Sequence, residues 1–141
     1  MPLLNFTTEV PASRTISQIS EKLAKAGARQ ILTDYHEGRP VGVAFSMETA
    51  IGVRQYRLPV DPTAVEKVLR RQKVAPRYQT TEHAERVAWR IMKDWVEAQL
   101  AIIETQMVTA DEVFLPYMLM EGLTVYQHYL QRQLAIGAGD D

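Results

Sequence analysis

Thr81–Gln106, TEHAERVAWRIMKDWVEAQLAIIETQ, reads as one long helix that packs on two sides. Polar residues recur at Arg86, Arg90, Lys93, Glu97 and Glu104, and those steps trace one narrow stripe along a helix. Ala101 interrupts the stripe near its end. Two apolar seams flank it. One holds Ala84, Val87, Ala88, Ile91, Trp95, Ala98 and Ile102. The other holds Trp89, Met92, Val96, Leu100 and Ile103. A surface helix buries a single apolar stripe about 100° wide. This one is apolar over most of its circumference, so it is expected either as the central helix or as a helix shared with a second subunit. An exposed Trp89 would mean the latter. The i,i+4 spacing predicts the pairs Glu82–Arg86 and Arg90–Asp94.

A chain of 141 residues, 46% hydrophobic and 23% charged, suits one domain with a real core. No apolar run approaches the ~20 residues of a membrane span. MPLLNFTTEVPASR lacks the basic start and apolar stretch of a signal peptide, which makes the cytoplasm the expected compartment. With no cysteine, disulfides, thiolate catalysis and thiolate metal sites are excluded. The charge is uneven. Through Val74, eleven Lys/Arg face seven Asp/Glu; from Ala75 on, five face ten. A basic first part hints at an anionic partner.

Residues 1–14 read as a flexible N-terminal arm, with a short strand at Leu3–Thr7. Thr15-x-x-Gln18 is a capping-box pattern that predicts a helix over Ile16–Ala26, stopped by Gly27. Arg29–His36, Val41–Met47 and Gly52–Pro59 alternate in the manner of strands, joined by the turn Glu37–Pro40 and by Glu48–Ile51. Asp61-Pro62 predicts the N-terminus of a second helix. Its buried stripe is Val65, Val68 and Leu69. Thr109-x-x-Glu112 and Thr124-x-x-Gln127 predict two short C-terminal helices, the first shortened or kinked by Pro116. Residues 137–141 read as a disordered tail. The expected fold is α+β: one domain over 15–136, a three-stranded antiparallel sheet in the order α-β-β-β-α, then the long central helix and the two short ones.

Catalytic patterns are scarce. His36, His83 and His128 lie on three different elements, and none stands i,i+4 from another. Asp34, His36 and Glu37 at a hairpin end read as exposed polar residues rather than a metal site. There is no G-x-S-x-G, no P-loop and no G-x-G-x-x-G. Asp111 and Glu112 suit the first turn of a helix without acid–base work. No enzyme activity, cofactor or metal is expected. The main signal is basic: Lys67, Arg70, Arg71, Lys73 and Arg77 at the end of the second helix and its linker, with Arg54 and Arg57 on the strand before. Arginine forks match phosphate oxygens and aromatics can stack on bases, but Tyr56 between the two strand arginines reads as a core or half-core aromatic rather than a stacking platform. A basic last turn also complements the helix dipole, which explains part of the cluster without a ligand. The C-terminal aromatics and methionines from Phe114 to Tyr129 read as core, or as a partner-binding surface.

Residues Ile16–Gln72 resemble a double-stranded-RNA-binding domain in topology. The basic motif of that family opens its second helix, whereas here it closes it, and the family's Gly-Pro-x-His hairpin tip is missing. Nearly the whole chain resembles a set of small uncharacterised proteins encoded by bacteriophages and prophages. The resemblance rests on Arg14–Ile19 (RTISQI), Tyr56–Pro59 (YRLP), Ala88–Ile91 (AWRI), Lys93–Leu100 (KDWVEAQL) and Phe114–Tyr117 (FLPY). It implies a cytoplasmic, phage-type accessory protein and supplies no catalytic residue. The expectation is therefore a non-enzymatic protein that binds an anionic partner, nucleic acid first, in a DNA recombination or replication setting. The alternative is an antagonist of host defence that sequesters a nucleotide or inhibits a host protein. A homodimer is expected, and no membrane association.

Overall fold

The computed structural model describes residues 1–139. Helix α1 (Ala12–Lys25) leads into strands β1 (Gln30–His36), β2 (Arg39–Thr49) and β3 (Gly52–Pro59), then α2 (Pro62–Arg71) and the long α3 (Thr81–Glu104). The C-terminal part holds α4 (Ala110–Phe114), a two-stranded hairpin of β4 (Leu119–Met120) and β5 (Leu123–Thr124), and α5 (Val125–Gly139). The fold is α+β, with an antiparallel sheet in the order β1-β2-β3.

Alternation sets the two faces of the sheet. Val43, Phe45 and Met47 of β2 and Tyr56 and Leu58 of β3 are buried against the helices. The other face carries Leu32, Ala44, Gln55 and Arg57 and has no helix over it. The β1–β2 hairpin turns at Glu37-Gly38, both at positive φ. This is the geometry that matches the strands' twist in a two-residue loop. A β-bulge between Asp34 and Tyr35 shifts the register. The extra residue is Val41 of β2, so Tyr35 stays on the helix side with Ile31 and Thr33, beside the start of α1 and the first turns of α3, but is 63% exposed.

Helix α3 lies between α1 and α2 and packs on both. The α-β-β-β-α order is therefore present, but the resemblance to a double-stranded-RNA-binding domain ends there, because a third helix holds α1 and α2 apart. Trp89 is fully buried and donates its indole N–H to the Pro40 carbonyl at 3.2 Å. The Trp89 seam thus meets the sheet of its own chain, and α3 needs no second subunit to cover it. The C-terminal elements lie instead against the other seam, where Trp95 meets Phe114 and Tyr117 edge-on at 5.8 Å.

The polar stripe of α3 faces α1 rather than solvent. Arg90 donates to Gln18 Oε1 at 2.7 Å and to Thr15 Oγ1 at 3.4 Å. Lys93, 9% exposed, pairs with Glu97 at 2.6 Å, and Lys22 of α1 reaches the same carboxylate at 2.9 Å. The hydrogen bonds from the two lysines hold the Glu97 carboxyl below the usual carboxylate range. Glu82–Arg86 pairs as spaced, at 2.9 Å. Arg90–Asp94 does not: Arg90 turns to α1, and Asp94 accepts from Asn5 Nδ2 at 2.8 Å.

Two further expectations near the N-terminus give way. Thr15 and Gln18 form no capping box, because α1 already begins at Ala12, and the Thr15 amide bonds back to the Pro11 carbonyl. Residues 1–10 form no strand and are not a free arm; 12–14 belong to α1. The segment turns twice around Asn5, at φ 64°, and is pinned to the domain. The Leu3 amide donates to Gln72 Oε1, Gln72 Nε2 donates to the Met1 carbonyl, and His83 Nε2 donates to the Phe6 carbonyl at 2.5 Å. At the other end, 137–139 continue α5, and the last two residues of the expected tail lie outside the described residues.

The Thr109–Glu112 capping box is formed, and so are both backbone-to-side-chain bonds of Thr124 with Gln127. Pro116 ends α4 in a 3-10 turn over Leu115–Tyr117. Met118 then makes an isolated bridge to Tyr56, which ties the separate two-stranded sheet of β4 and β5 to the edge of β3. Its turn, Glu121-Gly122, repeats the positive φ values of Glu37-Gly38.

Tyr56 lies at the centre of this junction, fully buried and stacked on Phe45 at 5.3 Å. It is a core residue, not a platform for a base. Its hydroxyl has no hydrogen-bond partner. Burial pushes the phenol above its ordinary range; Asp111 adds to this and Arg54 opposes it. A buried hydroxyl without a partner loses hydration and gains nothing in return. Tyr56→Phe should therefore leave the fold unchanged or stabilise it by up to ~1–2 kcal/mol. A thermal melt checks this; a loss of stability would mean that the hydroxyl has a partner.

Candidate nucleic-acid interface

Helix α2 starts where Asp61 accepts from the Ala64 amide at 3.2 Å and Pro62 takes the first helical position. Val65, Val68 and Leu69 face α3, and Leu69 is fully buried. At 100° per residue, Lys67, Arg70 and Arg71 must then lie on the opposite side of the helix, and all three are exposed. One acid stands near them: Glu66 Oε2 is 3.9 Å from Arg70 Nε, while Oε1 of the same carboxylate accepts from Thr81 Oγ1 at 2.6 Å. Lys67 and Arg71 have no acidic partner within ion-pair distance among the described residues.

Lys73 follows at φ 53°, the left-handed stop of the helix, with its amide on the Arg70 carbonyl. Arg77 sits in the 3-10 turn Pro76–Tyr78. Its guanidinium lies 4.7 Å from the centre of the Tyr78 ring and donates to the Tyr78 hydroxyl at 3.0 Å. Tyr78 is itself held edge-on by Phe6 and beside the His83 ring. Arg77 is thereby stacked on an anchored aromatic and still exposed. Tyr78 is the residue the sequence reading passed over; its one local signal was its place next to Arg77.

The strand arginines do not join this face. Arg54 and Arg57 stand on opposite sides of β3. Arg54 Nη1 donates to the Val53 carbonyl at 3.0 Å. Arg57 lies on the sheet face without helices and pairs with Asp34 across the central strand at 3.4 Å. Asp34 is thus engaged with Arg57, and His36 and Glu37, 3.9 Å apart, stand exposed at the hairpin end. No three His, Asp or Glu side chains converge to hold a metal among the described residues.

Three surface clefts complete the picture. One, of about 480 Å³, lies on the open face of the sheet and includes Arg57, Gln55 and Leu119. Another, of about 700 Å³, separates the C-terminal ends of α1 and α3. The smallest, of about 300 Å³, lies between the start of α1 and the first turns of α3. None is lined by Lys67, Arg70, Arg71, Lys73 or Arg77. The five basic residues are exposed and lie outside all three clefts.

Compared with known protein families, curated proteins and solved structures, the chain matches none. No helix among the described residues is long and apolar enough to cross a membrane.

Proposed function

We propose that this is a non-catalytic binding protein that lays the exposed side of α2 along a nucleic-acid backbone. The observation that carries the reading is the exposed stripe of Lys67, Arg70 and Arg71, with one acid, Glu66, within ion-pair distance among the described residues and an apolar side packed on α3. Lys73 and Arg77 extend it into the linker. Phosphate contacts of this kind position a protein on a duplex without reading its sequence. An open basic face suits a long polyanion. Sequestration of a free nucleotide, the alternative, calls for a closed basic pocket, and none of the three clefts draws on these residues. The resemblance to phage and prophage proteins is the support for a recombination or replication setting.

The test is a mobility shift with duplex DNA and duplex RNA at low salt. Binding is expected in the non-specific range, with Kd of ~10⁻⁴–10⁻⁶ M at physiological salt and tighter below it. The triple variant Lys67→Glu, Arg70→Glu, Arg71→Glu should lose the shift. Arg57→Glu, on the open sheet face, should keep it. No shift by the native chain at low salt ends the proposal.

A further inference from the structure

Helix α5 leaves most of its apolar residues open to water. A surface helix turns its apolar stripe to the body and its polar side to water. In α5, Tyr126, Tyr129, Leu130, Leu134 and Ile136 fall on one side at 100° per residue. Gln127, His128, Gln131 and Arg132 fall on the other, while Gln133 lies uncharged within the apolar side. The helix touches the body through Val125, packed against the core, and through His128, which is half-buried and whose Nε2 donates to the Met120 carbonyl at 2.5 Å. The apolar side is open, with Tyr126 53%, Tyr129 57% and Leu134 66% exposed.

The helix is fixed only at its root. Thr124 and Gln127 exchange cap bonds, and the Val125 amide donates to the Met118 carbonyl. Beyond His128, every residue through Ala138 is exposed. Helices shorter than ~12–15 residues are marginal in water without tertiary packing. The free part of α5 therefore calls for a cover.

We infer that the cover is a second copy of this chain, with α5 packed against α5 in an antiparallel, two-fold arrangement. Leu130 lies near the axis, and Tyr126 of each copy stands opposite Leu134 of the other. Charge favours self-pairing: α5 has no acid, and its one constant charge, Arg132, lies off the apolar stripe. Nothing repels when the stripe meets itself, and no charge on it selects a foreign partner. The area is also about right. The two half-open tyrosines, each able to bury ~150–250 Å², together with Leu130, Leu134 and Ile136, come to roughly 500 Å². Leu115 and Met120 at the root are 46% and 53% exposed and extend the patch toward the ~800 Å² per partner of a standard interface.

The chain has no cysteine, which makes the geometry testable by a single introduced thiol. Under mild oxidation, Leu130→Cys should give a disulfide-linked dimer in high yield, and Arg132→Cys, on the far side, should not. Light scattering should give the native chain twice its 16.0 kDa mass. The pair Leu130→Glu, Leu134→Glu should give a folded monomer, since both residues are exposed in the single chain, melting where the native chain melts once diluted below its dimer Kd. A native chain that remains monomeric at ~100 μM, far above the Kd of a specific dimer, overturns the inference, even if α5 captures some other protein. Equal cross-linking through Leu130→Cys and Arg132→Cys, or a double variant that still dimerises, overturns it too.

Discussion

Trp89→Ala should destabilise the domain by about 3–5 kcal/mol, as loss of a large buried aromatic does. Trp89 is fully buried where α3 meets the sheet, and its indole N–H satisfies the Pro40 carbonyl. The substitution leaves a cavity and an unpaired carbonyl together, and neither β2 nor α3 can collapse to fill the space, because each is held on both sides. Against the 5–15 kcal/mol that stabilises a typical domain, such a loss is a large fraction. Denaturant titration should show the midpoint fall with the slope unchanged. A loss below 1 kcal/mol would mean that α3 is not the centre of the core.

Phe114→Ala should cost a similar amount, about 3–5 kcal/mol, but with a different signature. Phe114 is fully buried and meets Phe45, Tyr56 and Trp95 within 5.3–5.8 Å. It fastens the C-terminal elements to a sheet and helix that are otherwise complete. Its loss should free residues 110–139 first. Hydrogen exchange would then show protection lost in α4 and the small hairpin while β2 and α3 remain protected. Uniform loss across all elements would contradict this division.

Much of this architecture follows from local pattern. The near-continuous apolar surface of α3 demanded neighbours on two sides, and α1, α2 and the sheet supply them. Alternation in Val41–Met47 and Gly52–Pro59 located the strands and their buried face. The failures have long-range causes. Thr15-x-x-Gln18 is as good a capping pattern as Thr124-x-x-Gln127, yet only the second caps a helix. The difference is that α1 already begins at Ala12, which puts Thr15 inside the helix, where its side chain and that of Gln18 accept from Arg90 across the domain. The pinned N-terminal segment depends likewise on Gln72, His83 and Asp94, all distant in sequence. The small hairpin was missed because two residues per strand leave no period to detect.

The basic site was partly legible for the same reason. Lys67, Arg70 and Arg71 share a face because helical spacing requires it. Arg54 and Arg57 cannot share one, because strand spacing forbids it. That Arg57 is paired with Asp34 depends on strand register, which spacing alone does not specify.

The most direct test of the central claim is the salt dependence of duplex binding, measured by fluorescence anisotropy. Each phosphate contact contributes about −0.9 to the slope of log K against log salt. The native chain should show a slope of about −3 to −5, as three to five contacts imply, and Lys67→Ala, Arg70→Ala and Arg71→Ala should each reduce its magnitude by up to ~1. A slope near zero, or one that the three substitutions leave untouched while Arg57→Ala reduces it, would contradict the account.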